Sequence, residues 1–277
     1  VFVLLWSTGF VSARYATDDA APLTFLTIRL GVAAVVLAAI AALTGSERPS
    51  RVEVRWSLVA GVLFHAVYLG GVFLAIDRGL PTGVGALIAG LHPVVTALAS
   101  GPLLGERLAR VQWIGVALGF AGIVAVVADR LGAHVGGITA VALVCSVVSM
   151  LSMSAGTLVQ RRHGGSTPLL WGPSIQYAAA TVVLGVPSVA FESFRIEFTA
   201  STVFALLWAT FVLSIAAVLL MLWLLQREAA AKVSSLFFLT PALSTVEGMI
   251  LFDERLGALA VVGLVVSLAG VALVTRR

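Results

Sequence analysis

Ten apolar runs, each near the length of a membrane crossing, follow one another with hardly a break. They are residues 1–17, 22–44, 56–76, 81–103, 111–128, 136–159, 167–190, 201–225, 229–251 and 257–274. A helix crosses the hydrocarbon core in roughly 17–25 predominantly apolar residues. Within lipid the backbone must satisfy its own hydrogen bonds, which leaves helices or a closed barrel. Stretches such as VVLAAIAAL, ending at Leu43, lack the period-two alternation of a barrel strand. The expected fold class is therefore an all-α integral membrane protein with ten transmembrane helices.

Composition supports lipid as the solvent. Hydrophobic residues make up 60% of the 277 and charged residues 11%, with a mean hydropathy of +1.09. Soluble domains are nearer half apolar and a quarter charged, and a water-soluble fold of this size still exposes much of its surface. Polar residues gather in the connectors SERPSRVEVR, DRGLP, GERLAR, DRLGAH, RRHGGS, FESFRIEFT, QRE and DERLG. Most connectors are short, so successive helices are expected to pack as a compact bundle with no soluble domain beside it. The chain opens inside an apolar run with no cleavable signal, and the natural N-terminus is expected to lie upstream. Cys145 stands alone in the sequence, which excludes an internal disulfide framework and a multi-thiolate metal site; a small core residue is the plainer reading.

The net charge of +4 forms no basic stripe, and no nucleic-acid partner is expected. The arginines report topology instead. One set of connectors, with the C-terminus, holds Arg48, Arg51, Arg55, Arg107, Arg110, Arg161, Arg162, Arg227, Arg276 and Arg277. The opposite set holds Arg14, Arg78, Arg130, Arg195 and Arg255. Ten against five favours both termini of a multi-pass protein in the cytoplasm.

A repeat then organises the runs. LLGERLARVQWIG, from Leu103 to Gly115, is echoed by LFDERLGALAVVG, from Leu251 to Gly263, and 254 − 106 = 148 just as 263 − 115 = 148. At that offset Leu91 falls on Leu239, Pro93 on Pro241, Glu106-Arg107-Leu108 on Glu254-Arg255-Leu256, and Gly122 on Gly270, without a gap. Five spans per copy is an odd number, so the second copy enters the membrane inverted. The two units expected are 1–130 and 131–277, forming one transport unit. Inverted repeats recur in secondary transporters, with the substrate site near mid-membrane where the halves meet.

Two five-helix units, each carrying P-x(12)-E-R-L…G…AG in its last two spans, resemble the drug/metabolite transporter superfamily and its ten-helix EamA-type exporters. The aromatic and histidine complement is similar to the bacterial aromatic amino-acid exporter branch. The resemblance implies gradient-linked or facilitated efflux of metabolites without nucleotide hydrolysis, and no G-x-x-x-x-G-K-[ST] loop is present. No cofactor and no metal are called for, and a monomer is the expected state. The expected activity is export of small metabolites, amino acids with aromatic ones preferred, by alternating access through a central cavity. The alternatives are a carrier of sugar phosphates, nucleotide sugars or cationic drugs, a channel, or an intramembrane enzyme. The enzyme reading lacks an H-E-x-x-H or G-x-S-x-G motif.

Ionisable and polar groups at membrane depth supply the candidate site. His65 and Tyr68 share one helical face at i, i+3; they line a cavity or bridge packed helices. His92 precedes Pro93, and Pro241 occupies the matched depth, so paired kinks serve as gates or as packing devices. His92 itself is a proton carrier or a hydrogen-bonded interhelix residue. Lys232 follows Glu228 by four residues and either snorkels with it or meets a substrate carboxylate. Ser234 and Ser235 line a polar face or allow close packing. Trp171, Gln176, Tyr177 and Trp208 offer aromatic and polar lining, with Trp171 equally suited to an interfacial belt, whereas Trp56, Trp113 and Trp223 read as interfacial anchors. Arg29 and Glu247 are a possible buried pair, a latch or a gate.

Overall fold

The computed structural model describes residues 1–92, 94–96, 98–99, 109–132, 139–221, 240–252 and 257–275, and these are almost entirely helical. The helices are α1 (Phe2–Asp19), α2 (Pro22–Leu43), α3 (Arg51–Asp77), α4 (Thr82–Ala89), α5 (Arg110–Gly132), α6 (Ala140–His163), α7 (Trp171–Glu192), α8 (Ala200–Met221), α9 (Thr240–Phe252) and α10 (Ala258–Thr275). Five of them, α2, α3, α6, α7 and α8, are long and apolar enough to cross a membrane. The fold is that of an integral membrane protein, with Phe120, Val182 and Ile250 facing outward.

Helix starts follow local chemistry. The Ser50 hydroxyl accepts from the Glu53 N–H while the Glu53 carboxylate accepts from the Ser50 N–H at 2.8 Å, a reciprocal cap that opens α3. Thr139 and Thr199 cap α6 and α8 through the hydroxyl alone, which accepts from the Ala142 and Thr202 N–H. No side chain of its own caps α2, which starts on Pro22. The Glu192 carboxylate, from the end of α7, instead accepts from the N–H groups of Leu23 and Thr24 at 3.1 and 2.8 Å. A negative group there also suits the helix dipole. The run expected over 81–103 departs from a single helix: α4 ends at Ala89, a turn follows at Gly90 and Leu91, and helical backbone resumes at His92. Pro93 lies outside the described residues, as do Glu106, Arg107, Glu228, Lys232, Ser234, Ser235, Glu254 and Arg255.

Two helix pairs run antiparallel through small residues. Along α2 and α7, Thr24 meets Ser188, the residues at 27 and 185 touch, Gly31 faces Thr181, and Ser174 donates to the Ala34 carbonyl at 2.9 Å. Along α5 and α10, Gly122 lies against the Gly263 carbonyl and Ser267, while Gly270 lies against Gly119 and the Gly115 carbonyl. Numbers rise along one helix as they fall along its partner, which fixes the direction. A Cβ on Gly122 or Gly270 would strike backbone, so glycine sets how closely α5 and α10 approach.

The connector after α7 is strained. Ser193 and Phe194 both hold positive φ, 52° and 50°, a region costly for residues with a side chain. The turn delivers Arg195 and Ile196 to the end of α1, where the Ala21 N–H donates to the Arg195 carbonyl and Ala20 bridges Ile196. Asp19 completes this rim by accepting from the hydroxyls of Thr199, Ser201 and Thr202.

Two stretches wind as π-helix, Val62–Val67 inside α3 and Trp208–Ala217 inside α8. Such turns are frequent at functional sites. The main core packs α1, α2, α3, α7 and α8 around Phe25, Leu30, Phe73 and Tyr177; a second gathers around Val84, Ile88 and Met150.

Candidate functional site

The larger cavity, about 600 Å³ of empty space including its open side, sits inside the main core. Its walls come from α1 (Trp6, Phe10), α2 (Arg29), α3 (Phe64, His65, Tyr68), α7 (Tyr177) and α8 (Leu213, Ser214). Both π-helical turns reach it, one through His65 and the other through Ser214. At the end of the second turn the Val218 N–H bonds the Ile215 carbonyl. The Ser214 carbonyl receives the Tyr177 hydroxyl at 2.7 Å, and the Ser214 hydroxyl accepts from Arg29 Nε at 2.9 Å. One serine thus fixes both the phenol and the guanidinium.

His65 is held from behind. Its Nε2 lies 3.2 Å from Gln176 Oε1, and Gln176 Nε2 donates to Gln160 Oε1 at 3.1 Å. The Gln176 backbone can come this close because Gly61 faces it; a Cβ at that position would overlap the main chain of Gln176. The imidazole stands edge-on to Tyr177, ring centres 4.5 Å apart, and Phe64 meets Tyr68 edge-on at 5.9 Å. Burial is nearly complete: Tyr177 is 1% exposed, Tyr68 6% and His65 7%. The site is therefore an aromatic chamber with one cation and a few fixed polar groups.

The structure brings His65, Tyr68, Gln176, Tyr177 and Arg29 together. His92 lies elsewhere. It borders a smaller cavity of about 270 Å³ with Met153 and Thr240, while Trp6, Phe10 and Tyr68 border both cavities. Its Nδ1 is 3.0 Å from the Ala89 carbonyl, and its own carbonyl accepts from Ser154. Trp171 donates to the Ser46 carbonyl at 3.4 Å and borders neither cavity. Trp208 donates to Thr8 Oγ1 at 3.0 Å and also borders neither. Pro241 is in α9, one residue from its start.

The pairing of Arg29 with Glu247 is not formed. Arg29 turns to Ser214, whereas Glu247 Oε1 accepts from Ser7 at 2.6 Å. Its second oxygen is buried without a partner among the described residues. The physical reason is position: Ser7 and Ser244 link α1 to α9 through the Ser7 carbonyl as well, away from the α2–α8 contact. Trp6, Phe10 and Ser214 were not singled out by the sequence reasoning. A signal for Ser214 existed, since 62 + 148 = 210 and 67 + 148 = 215, so the His65 turn maps onto a segment containing it.

Apolar helices of membrane length, five of them among the described residues, define an integral membrane protein. The EamA-like transporter family model matches residues 1–128 and 140–276, and the chain belongs to that family. It is a membrane transporter. The chain is 27% identical to the uncharacterized transporter YvbV of Bacillus subtilis (strain 168), over 99% of this chain and 89% of that protein. It is 24% identical to a probable amino-acid metabolite efflux pump of Escherichia coli (strain K12), over 97% and 90%. The inner membrane transporter YedA of the same organism is 25% identical over 98% and 87%. A solved crystal structure shares the fold with a TM-score of 0.69 at 21% identity, covering 98% of this chain and 93% of that one.

Proposed function

We propose that the chain is a ten-span exporter of small metabolites, amino acids with aromatic ones preferred, working by alternating access through the larger cavity. The observation that carries this reading is the chamber itself, which takes walls from α1–α3 and from α7–α8 and lines them with aromatic rings around Arg29 and His65. Rings in a buried chamber favour planar or apolar ligands by burial and edge contacts. The name of the Escherichia coli relative supports the amino-acid class.

In this reading residues 1–130 and 131–277 are inverted copies with both termini in the cytoplasm of a bacterial inner membrane. Three features support it. The α5–α10 pair is antiparallel, and its contacts map onto themselves at the offset, since 122 + 148 = 270 and 115 + 148 = 263. The π-helical turns occupy matched places in α3 and α8. The family model divides between residues 128 and 140, in the connector joining the two units. His65, Tyr68 and Tyr177 contact substrate, Gln176 orients His65, and the matched prolines Pro93 and Pro241 serve the gates. His92 borders the smaller cavity, which Trp6, Phe10 and Tyr68 share with the larger one.

The test is counterflow of labelled phenylalanine, tyrosine and leucine into proteoliposomes. Saturable uptake that is accelerated by unlabelled amino acid on the far side, and at least about tenfold lower in folded His65→Ala, agrees with the reading. Exchange of nucleotide sugars or sugar phosphates without amino acids overturns the substrate. Labelling of cysteines beside Arg107 and Arg255 from the same compartment overturns the inversion.

A further inference from the structure

Arg29 brings a guanidinium to the wall of the larger cavity, and the described residues leave its charge unbalanced. The residue is 6% exposed. Its Nε donates to Ser214 Oγ, the one hydrogen bond it makes among the described residues. A guanidinium has five N–H donors. With Nε occupied, the pair of terminal nitrogens remains, and that pair is the fork that matches a carboxylate. Among the described residues no Asp or Glu oxygen lies within 4.0 Å of it. Charge buried without a partner is costly, and a ligand that carries the opposite charge removes that cost on binding.

The remaining lining defines the other end of the ligand. Trp6, Phe10, Phe64 and Phe73 present apolar ring surface, and among the described residues none that lines the cavity is acidic. A ligand ammonium would therefore enter without a carboxylate to receive it and beside a cation. We infer that the chamber is a receptor for monocarboxylates with an aromatic or bulky apolar body, Arg29 holding the carboxylate, and that an amino group adds nothing to binding. Ser214 is the positioning residue: its hydroxyl holds Nε, so the terminal nitrogens are presented together. This rests on the larger cavity being the substrate site proposed above, and it narrows the substrate class to organic acids, with amino acids admitted through their carboxylate.

Three ligands of matched shape test it on the full chain in nanodiscs by calorimetry: 3-phenylpropanoate, its amide, and phenylalanine. The propanoate binds at least about tenfold more tightly than the amide, the ratio expected for charge-assisted hydrogen bonds, and no more weakly than phenylalanine. Arg29→Gln brings the propanoate down to the affinity of the amide and leaves the amide where it was, while Arg29→Lys retains part of the preference. Equal binding of propanoate and amide by the natural chain overturns the inference, as does an unchanged ratio in Arg29→Gln, phenylalanine binding well above the propanoate, or no binding by any of the three. Should Arg29→Gln fail to fold, the ligand series on the natural chain decides alone. Phenylalanine counterflow on the same preparation separates the two readings. Carboxylate-selective binding without counterflow sinks the carrier and leaves the receptor; counterflow with no carboxylate preference does the reverse.

Discussion

The α2–α7 and α5–α10 seams are both antiparallel pairs of apolar helices, yet they are joined by opposite means. Between α2 and α7 the contact is made by side chains: Thr24 and Ser188 bond across, Ser174 donates to the Ala34 carbonyl, the Thr181 methyl packs against Gly31, and Glu192 closes the end. Between α5 and α10 backbone meets backbone, with Ser267 Oγ reaching the Gly119 carbonyl at 3.5 Å as the accompanying polar contact. The first seam carries Arg29 and Tyr177 to the cavity, and no described residue of α5 or α10 lines it. Hydroxyl pairs can exchange partners as helices slide; glycine faces have one close-packed arrangement and lose it altogether. The seam beside the cavity can adjust, and the remote one holds.

The largest effect expected falls on the rigid seam. Gly122→Ala and Gly270→Ala each place a methyl group against main chain, which has no rotamer to give. Overpacking typically costs about 1–3 kcal/mol and occasionally more; with main chain on the receiving side these two fall at or above the upper end, well over the roughly 1 kcal/mol that alanine gains in helix propensity. Gly9→Ala is the control, since a Cβ there meets nothing within 4 Å. Thermal unfolding in detergent should show both seam variants well below the natural chain and Gly9→Ala at or above it. If the three behave alike, the contrast between the seams is lost.

On the adjustable seam the losses are graded. Thr24 has one hydroxyl proton and gives it to Glu192 at 2.9 Å, so the Ser188 hydroxyl donates to Thr24 Oγ1 at 2.7 Å. Glu192→Gln replaces a carboxylate that faces three donors with a group that has a single acceptor oxygen. Its cost is about 1–2 kcal/mol. Ser188→Ala removes one donor and leaves Thr24 bonded to Glu192, for roughly 0.5–1.5 kcal/mol. Urea or SDS titration of the two variants should order them so. A larger loss at Ser188 than at Glu192 would mean that the hydroxyl pair, and not the cap, ties this seam.

How far these arrangements are legible in sequence depends on whether they are local. Apolar runs and caps are local, so the limits of α2 (22–44 expected, Pro22–Leu43 observed) and of α10 (257–274 expected, Ala258–Thr275 observed) agree closely. His65 and Tyr68 share a wall because i, i+3 spacing is a property of one helix. Arg29 is different. Its depth is readable, but its choice of Ser214 over Glu247 is a matter of which helix lies opposite, and sequence spacing carries no such information. Trp171 and Trp208 border neither cavity for the same reason: ring depth is readable and ring direction is not. The repeat offers a partial remedy, since a feature found in one unit points to its counterpart in the other, as the turn around His65 points to Ser214.

The smallest effect concerns the rim beside the adjustable seam, where Asp19 ties the end of α1 to the start of α8. Hydrogen bonds from Thr199 and then Ser201 hold its carboxyl below the ordinary value of 3.8. A carboxyl lowered in the folded state adds stability that is fully present above its unfolded value and fades as pH falls through the folded one. The clasp therefore holds at neutral pH and loosens in acid, below the ordinary carboxylate value. Because Asp19 faces solvent, screening keeps the contribution small. The check is a comparison of melting temperature against pH for the natural chain and Asp19→Asn. Asparagine still accepts through its carbonyl but does not titrate in this range, so the two curves should run parallel from neutral to mildly acidic pH and converge below it. Curves that stay parallel to the lowest pH would show that Asp19 contributes geometry without charge, and the rim would then resemble the α5–α10 seam more than the hydroxyl seam it adjoins.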